Sequence, residues 1–377
     1  MDYFITGGNG LLGSHLIARL LTINSVDRIA CLVRGDTQEA AEVRLAHALE
    51  LAIDDAGLSM TAHNLMGRIL VVQGDLYSIE WTRRRELQGW LRSSGPLHIV
   101  HSAANISFSE NERTSIWRTN VEGTTQMLAV ASRLPNVASF NYVSTAYVAG
   151  KRYGIILEAD QPKAPEFNNS YEESKWTAEG LVREHCSAHA IPFRIFRPSI
   201  IIGDSGTHRI SIHTGFYNVI EKVWHLTRLA KPSDFPIHLP FDPAATLDLI
   251  PVDIVVREML LLLGGGEATY GKTFHLTNEE PLTLPDIIYS LSMLTGVKIS
   301  YTQPAEPAAS GLGALIGRGI RHYAPYLRQI RHFDRSNVRL YGADRPQRNY
   351  RLDTEELKRF AAAFMEFKLA QPKQMTA

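Results

Sequence analysis

The sequence predicts an α/β protein built on a doubly wound parallel sheet, with a smaller C-terminal α+β lobe. Three observations lead to this prediction. Short apolar runs typical of buried strands alternate with longer runs that have helical spacing. A glycine-rich turn, TGGNGLLG at residues 6–13, joins the first apolar strand to the first helix. The segments between successive strands are also long enough to return each strand parallel to the one before it.

The glycine turn has the spacing G-x-x-G-x-x-G and the strand–turn–helix context of a phosphate-binding loop. Gly7 suits a tight turn, Gly10 lets the main chain approach a pyrophosphate, and Gly13 lets the helix pack closely on the strand. Free N–H groups at the helix N-terminus, together with the helix dipole, are expected to hold the phosphates. The alternative is a purely structural loop.

Two side chains that follow predicted strands are expected to face the adenosine half of a dinucleotide. Arg34 follows the strand at residues 28–33, where an arginine can pair with the 2′-phosphate of NADP. The alternative is a solvated arginine at a strand end. Asp75 follows the strand at residues 69–72 and is placed to accept from the adenine amino group, although an isolated Asp often only forms a turn.

The next two predicted strands end in small and hydroxyl residues. The strand at residues 97–101 is followed by Ser102, Ala103 and Ala104, which allow close approach of a cofactor. The strand at residues 137–143 is followed by Ser144 and Thr145. Both sets are expected at the carboxyl edge of the sheet, where ligands of such sheets bind.

The remaining elements complete the first lobe and then alternate less regularly. Helices are predicted at residues 37–55, 112–134, 170–189, 213–229, 252–263 and 284–294. Further strands are predicted at 192–196, 246–250, 273–276 and 298–301, with a Pro-rich connection at 231–245. We therefore predict a dinucleotide-binding domain at 1–205, to which a later strand within 246–277 returns. Residues 206–377 form mainly a substrate lobe, in which 305–348 are either an apolar cover or a packed tail.

Composition excludes several classes of protein. Lys plus Arg equal Asp plus Glu at 39 each, so no global basic field draws nucleic acid or an anionic membrane. The two cysteines, Cys31 and Cys186, lie far apart in apolar or helical contexts, which favours reduced thiols in a cytoplasmic protein. The first strand begins at residue 2, which predicts no signal peptide, and no apolar run approaches the length of a membrane span. The 14 histidines show no metal-ligand spacing, and no metal is predicted.

Three residues suggest proton transfer to a carbonyl oxygen. Tyr171 and Lys175 are four apart on a predicted helix and therefore share one face. An ammonium near a phenol stabilises the phenolate, so we expect Lys175 to lower the pKa of Tyr171. Such a phenol can exchange a proton with a carbonyl or alkoxide while hydride moves. Thr145 could donate a second hydrogen bond to the same oxygen.

With these residues in place, the chain resembles the extended short-chain dehydrogenase/reductases, which have a Rossmann fold. The matching motifs are TGGNGLLG at 6–13, GDL at 74–76, HSAA at 101–104, NVEGT at 120–124, YVSTAYV at 142–148, YEESK at 171–175 and RPS at 197–199. The resemblance implies a catalytic triad of Thr145, Tyr171 and Lys175, with Asn120 supporting a proton relay through water. It also implies binding of NADP(H) by Gly7, Asn9, Gly10, Leu11, Leu12, Gly13, Arg34, Asp75, Leu76, Ala103, Ala104, Tyr171, Lys175, Pro198 and Ser199.

Within that family the chain looks most like the thioester reductases and fatty acyl-CoA reductases. The similar phrases are LVRGDTQEAAEVRL at 32–45, YEESKWTAEGLV at 171–182, RPSIIIGDSGT at 197–207 and FDRSN at 333–337. This implies NADPH-dependent reduction of an acyl thioester to an aldehyde and, after a second hydride, an alcohol. The acyl group would arrive as a CoA ester or on a separate acyl carrier protein. A basic patch for such a carrier is conceivable at Arg318, Arg321, Arg328 and Arg331, although a solvated helix face is preferred.

Two alternatives remain open at the level of sequence. The same triad would serve a reductase or dehydrogenase of a free ketone, aldehyde or alcohol, or a sugar-nucleotide epimerase, although an epimerase usually favours tightly held NAD. The other alternative is an NADP-binding sensor that does not catalyse. The complete set of Thr145, Tyr171 and Lys175 argues against a sensor, because a protein that only binds has no need of the acid.

Overall fold

A computed structural model describes residues 1–23, 26–134, 136–159, 165–213, 215–229, 237–240, 242–296, 299–302, 321–342 and 350–370. The strands are β1 Asp2–Thr6, β2 Arg28–Val33, β3 Ile69–Gln73, β4 Leu97–His101, β5 Val137–Val143, β6 Gly154–Ile156, β7 Phe193–Pro198, β8 Ile200–Ile202, β9 Ile237–Pro240, β10 Thr246–Leu247, β11 Leu249–Pro251, β12 Lys272–Leu276, β13 Leu282–Thr283, β14 Ile299–Thr302 and β15 Arg331–Phe333. The α-helices are α1 Leu11–Leu20, α2 Gln38–Asp55, α3 Ala62–Met66, α4 Arg85–Arg92, α5 Arg113–Trp117, α6 Gly123–Ala131, α7 Ser170–Ala188, α8 Phe216–Leu229, α9 Val252–Leu263, α10 Leu284–Thr295, α11 Ser336–Tyr341 and α12 Thr354–Ala370.

Seven parallel strands form the central sheet in the order β12-β7-β5-β4-β1-β2-β3. Every residue of β1 and of β4 is buried, as expected for strands that helices cover on both faces. The register places Thr6, at the end of β1, opposite Leu32 on one side and His101 on the other. The strand order reverses between β1 and β4, so the carboxyl ends of these strands open a crevice there. The predicted doubly wound α/β fold is confirmed.

The predicted helix at residues 112–134 is interrupted. A 3₁₀ turn at Glu110–Glu112 leads into α5, a π-helical turn occupies Arg118–Glu122, and α6 continues to Ala131. A π turn inserts an extra residue into the helix and rotates the side chains that follow. The local apolar spacing could not reveal it.

The predicted strand at residues 246–250 is two strands rather than one. β10 pairs with β13, whereas β11 pairs with β8 in parallel, and Asp248 lies between them with a buried side chain. The 231–245 connection also contains a strand, β9, which pairs with β14. The sequence did not predict β9 because its partner lies some 60 residues further along the chain.

The C-terminal part of the chain builds a second apolar core and also returns to the sheet. Its core includes Tyr217 on α8, Leu249 on β11, and Phe360 and Phe364 on α12. β12 leaves this part of the chain and pairs with β7 at the edge of the sheet. The division of the chain near residue 205 remains a prediction.

Cys31 and Cys186 are buried and do not form a disulfide. Among the residues that the structure describes, we find no helix with the length and hydropathy that a bilayer crossing requires.

Candidate active site

Three glycines of the turn between β1 and α1 have no room for a Cβ within the protein: Gly7, Gly8 and Gly13. Gly7 has φ = +73°, and a Cβ there would lie 2.6 Å from the amide nitrogen of Ala103. A Cβ on Gly13 would lie 2.2 Å from the carbonyl oxygen of Gly7. A Cβ on Gly10 would meet only that same oxygen, at 3.4 Å, which is an ordinary contact. A Cβ on Gly8 would clash with the side chains of Cys31 and Ile17. Packing within the protein therefore requires glycine at positions 7, 8 and 13 but not at position 10.

Among the residues that the structure describes, no side chain caps the N-terminus of α1. Gly10 is the N-cap residue, and the first turn contains no acid. The first helical N–H groups, those of Leu11, Leu12 and Gly13, have no partner inside the helix. An uncapped helix N-terminus after a glycine turn fits the phosphates of a dinucleotide.

A cavity of about 170 Å³ lies at the crevice beside this turn. Eight of the predicted cofactor residues line it: Gly7, Asn9, Gly10, Arg34, Asp75, Leu76, Ala103 and Ala104. Gly10 also borders the cavity, and it is the glycine of this turn whose Cβ would not clash with the protein. The residues present fit a bound dinucleotide.

Two polar side chains that line the cavity, those of Arg34 and Asp75, are suited to an adenosine. Arg34 is exposed at the end of β2. One carboxylate oxygen of Asp75 accepts from the amide of Tyr77 at 3.2 Å, which is the turn-forming alternative considered for this residue. Its half-buried side chain still lines the cavity.

Two of the cavity residues outside the predicted set, Tyr77 and Thr119, contact each other. The hydroxyls of Tyr77 and Thr119 lie 2.6 Å apart, and the guanidinium of Arg118 lies 4.0 Å from the centre of the Tyr77 ring. Thr119 and Arg118 belong to the π turn. Because that turn was not foreseen, the contact could not be foreseen either.

Thr145 and Tyr171 lie close to each other. Thr145 follows β5 and Tyr171 lies in the first turn of α7, and the Thr145 side chain is near enough to the phenol to lower its pKa. Burial has the larger effect and raises the pKa of Tyr171 to about 12. The phenol therefore keeps its proton at neutral pH.

Lys175 lies one turn further along α7 and is 2% exposed. Its ammonium donates to the carbonyl oxygen of Val143 at 2.6 Å and lies 4.2 Å from the centre of the Tyr142 ring. Burial lowers the pKa of Lys175 to about 7, and Glu179 raises it in part. The expectation that Lys175 makes Tyr171 acidic is wrong for this structure, because the ammonium is directed at Val143 and Tyr142 and burial dominates the phenol.

A buried ion pair lies beneath Lys175. Glu179 is one turn further along the same helix, and both of its carboxylate oxygens accept from the guanidinium of Arg197, at 2.8 and 2.7 Å. Neither side chain is more than 1% exposed. The paired carboxylate is the charge that partly offsets the effect of burial on Lys175.

Asn120 lies in the π turn and ties together two segments near Tyr171. Its amide nitrogen donates to the carbonyl oxygen of Asn105 and to the hydroxyl of Ser174, both at 2.9 Å. Its amide oxygen accepts from the backbone N–H of Asn105 at 2.8 Å. Ser174 is on α7 beside Lys175, so Asn120 links α7 to the loop that follows β4. Its predicted support of a water relay remains a prediction.

The predicted residues at the end of β7 are buried and connected to the site. The Thr145 hydroxyl lies 3.4 Å from the carbonyl oxygen of Pro198. The Ser199 hydroxyl donates to Asp248 at 2.6 Å. Burial raises the pKa of Asp248 to about 6, while its hydrogen bond from Ser199 favours the charged form.

Arg331 does not belong to the candidate basic patch. Arg331 is 5% exposed, and its guanidinium donates to the carbonyl oxygens of Gly150 and Arg152, so it cannot contact a carrier. Arg328 is exposed. Arg318 and the side chain of Arg321 lie outside the described residues. Within the described part of the chain, no group of three or more His, Cys, Asp or Glu residues could hold a metal ion.

Part of the sequence is similar to a nonribosomal peptide synthetase and to a putative fatty acyl-CoA reductase. A nonribosomal peptide synthetase of Aspergillus flavus, asaC, is 28% identical over 310 residues, which cover 77% of this chain and 27% of that protein. A putative fatty acyl-CoA reductase of Drosophila melanogaster is 26% identical over 328 residues, which cover 76% of this chain and 56% of that protein. The chain thus spans between about a quarter and about half of the length of these relatives.

A solved structure supports the fold. The terminal R domain from the myxalamid PKS-NRPS biosynthetic pathway superposes with a TM-score of 0.78 at 21% identity, over 98% of this chain and 92% of that one. The family model described as male sterility protein, an NAD-binding family, matches residues 5–259. The match covers more than half of the chain, so the chain belongs to the male sterility protein family. This family lies within the extended short-chain dehydrogenase/reductases, which the sequence motifs predict.

Proposed function

We propose that this chain is an NADPH-dependent reductase of an acyl thioester, which releases an aldehyde and a thiol. The observation that carries the proposal is the proximity of Thr145 to the phenol of Tyr171, with Lys175 one turn away on α7. This pair lies at the carboxyl edge of the same sheet as the glycine turn. The names of the relatives, a fatty acyl-CoA reductase and a peptide synthetase, support a thioester as the substrate.

The residues of the chain would act on the substrate oxygen. When bound, a reduced nicotinamide supplies a hydride to the carbonyl carbon. Tyr171, which is protonated at neutral pH, gives its proton to the carbonyl oxygen, and Thr145 donates a hydrogen bond that steadies the developing charge. The resulting hemithioacetal returns the hydroxyl proton to the Tyr171 phenolate as its C–S bond breaks. The thiolate then takes a proton from water, which leaves an aldehyde and a free thiol.

The choice of NADPH rests on Arg34. Its exposed guanidinium borders the cavity at the end of β2, where a 2′-phosphate can accept two parallel hydrogen bonds. The acyl group would be carried by CoA or by a separate carrier protein.

An assay with a substrate panel tests the proposal. NADPH consumption and thiol release are measured with acyl-CoAs, acyl-pantetheines and the matching aldehydes. We expect NADPH consumption with thioesters and an equal amount of released thiol, and consumption with aldehydes as well if reduction continues to the alcohol. Consumption with aldehydes alone would make the protein an ordinary carbonyl reductase and overturn the thioester assignment.

The catalytic assignment has its own test. Tyr171→Phe removes the acid but keeps the ring and its contact with Phe108. We expect kcat to fall by roughly 10²- to 10⁴-fold, the usual contribution of a general acid, while the Kd of NADPH changes little. A variant with wild-type turnover would mean that another group supplies the proton.

A further inference from the structure

The C-terminal part of the chain contacts the first turn of the helix that carries Tyr171. A 3₁₀ segment at Arg321–Arg328 contains Tyr326, whose side chain is 6% exposed. Its hydroxyl donates to a carboxylate oxygen of Glu172 at 2.6 Å and accepts from the side-chain amide of Asn169 at 2.9 Å. These two partners lie on either side of Tyr171 in the chain.

Both partners of Tyr326 also organise the start of α7. Asn169 is the N-cap residue, and its side-chain oxygen accepts from the amide of Glu172 at 3.0 Å. The carboxylate of Glu172 reaches back to the amide of Asn168 at 2.8 Å. This exchange is close to a capping box, which fixes the entry of the chain into a helix.

The opposite side of the same turn is held by the 3₁₀ turn before α5 and by the first residue of α5. The amide and hydroxyl of Ser170 donate to Glu110, at 2.9 and 2.7 Å, and Arg113 pairs with Glu173 at 2.9 Å. Contacts on both sides therefore restrain the turn, and Tyr171 lies between them.

An aromatic cluster, here Phe108, Tyr171, Tyr326 and Tyr147, joins the two sides. The centre of the Phe108 ring lies 5.7 Å from that of Tyr171 and 5.7 Å from that of Tyr326. The Tyr326 ring meets Tyr147 edge-on at 5.2 Å. Tyr147 belongs to the 3₁₀ turn that Thr145 begins. Tyr326 thus packs against neighbours of both Tyr171 and Thr145, whose hydroxyls form the candidate site.

We propose that Tyr326 is a positioning residue for Tyr171, through which the C-terminal part of the chain holds the first turn of α7 in its working geometry. The first turn of a helix lacks intrahelical partners for its N–H groups and is the part that frays. Glu172 is fully buried, so its carboxylate depends on the donors that reach it. An acid displaced by about 1 Å can lose much of its rate advantage, so a small loosening here should lower turnover. This inference rests on the proposed function of Tyr171.

The test is Tyr326→Phe, which removes one hydroxyl and keeps the ring. We expect kcat to fall about three- to tenfold, the effect of one lost hydrogen bond, with KM, the Kd of NADPH and Tm close to wild type. Hydrogen exchange at residues 170–175, followed by mass spectrometry, should become faster. Asn169→Ser keeps the capping oxygen but removes the amide donor to Tyr326. This variant should also lower kcat and speed up hydrogen exchange at residues 170–175. Tyr153→Phe, at a tyrosine that is 83% exposed, is the matched control and should change neither.

The outcomes separate this inference from the proposed function. An unchanged kcat in Tyr326→Phe, beside an active wild type, overturns the inference whatever the exchange shows. If the wild type reduces no carbonyl compound, the proposed function fails, and the exchange measurement alone decides whether Tyr326 holds the turn. In that case, equal hydrogen exchange in wild type and Tyr326→Phe would also overturn the claim that Tyr326 holds the first turn of α7.

Discussion

Burial acts in opposite directions on the two ionisable side chains of the candidate triad. It raises the pKa of Tyr171 to about 12, so the phenol is a proton donor at rest. It lowers the pKa of Lys175 to about 7, so the ammonium is easily lost. The same cause favours the neutral form of both groups, because a charge in an apolar surrounding is costly whatever its sign. The charge state of Lys175 near neutral pH is therefore sensitive to its neighbours.

Glu179 is the neighbour whose removal should show this. If reduction requires the ammonium form of Lys175, kcat/KM falls as pH rises through about 7, because the proton is then lost from the free enzyme. Glu179→Gln removes the charge that raises this pKa, so the fall should move to lower pH. The measurement is the pH profile of kcat/KM.

A second variant guards against a misfolded protein. Glu179→Gln alone leaves the guanidinium of Arg197 buried without its carboxylate, which costs about 3–5 kcal/mol in comparable cases. The double variant Glu179→Gln with Arg197→Met removes both charges, so it should keep a higher Tm and still show the shifted profile. A profile identical to wild type in a folded variant would mean that Lys175 does not set it.

Arg34 should decide the choice of dinucleotide. Arg34→Glu replaces a donor with an acceptor, which repels a 2′-phosphate and accepts from a 2′-hydroxyl. We expect the ratio of the NADP⁺ and NAD⁺ dissociation constants to change by about 10- to 100-fold in favour of NAD⁺. Titration calorimetry measures both constants. Arg44→Glu, at an exposed position on α2, makes the same change in charge and should leave the ratio unaltered. Equal affinities in the wild type would refute the NADPH assignment.

At the scale of elements, two glycines of the turn should differ in what they support: Gly13 the stability of the protein, and Gly10 the binding of NADPH. Gly13→Ala places a Cβ 2.2 Å from the Gly7 oxygen, so we expect a loss of about 2–4 kcal/mol in the free energy of unfolding. Gly10→Ala meets nothing closer than 3.4 Å and should fold with nearly wild-type stability. It should nevertheless weaken NADPH binding, because the new methyl group borders the cavity. Urea denaturation and NADPH titration of both variants check this, and normal binding by Gly10→Ala would contradict the assignment of the turn.

Which elements the sequence could predict depends on where their partners lie. The sheet strands at 28–33, 69–72 and 97–101 are apolar runs whose burial is visible locally, and all are observed. By contrast, β6 and β15 are three residues each and, among the described strands, pair with each other across about 180 residues. Such ribbons exist because the rest of the fold brings them together. No pattern within three residues encodes that.

At the scale of the molecule, the same distinction applies to the candidate site. The glycine turn, Thr145, Tyr171 and Lys175 follow from strand ends and helix spacing, which are local properties of the chain. Tyr326 does not, because its hydrogen bond to Glu172 spans 154 residues. Contacts that return from the C-terminal part to the sheet set the surroundings of the site, and they are visible only in the folded chain.

Glu158 makes another such return contact, and its titration can be measured as stability. Its buried carboxylate accepts from the amide of His275 on β12 and from that of Asn337 in α11, so it links three distant segments. Burial raises its pKa to about 7 from an ordinary 4.5. Between these values the folded state binds more protons than the unfolded state. The stability that Glu158 contributes is therefore complete below about pH 4.5 and is lost as pH rises through 7.

Glu158→Gln should remove this dependence, because an amide does not titrate in this range. The variant loses one acceptor at every pH, which adds a constant penalty. The difference in the free energy of unfolding between variant and wild type should still move in favour of the variant by about 1–3 kcal/mol from pH 5 to pH 8, since one pKa unit corresponds to about 1.4 kcal/mol. Urea denaturation at both pH values measures it, and Glu267→Gln, at an exposed position, is the control. A difference that is the same at pH 5 and pH 8 would mean that Glu158 is already ionised in the folded protein at pH 5, and that its backbone donors outweigh its burial.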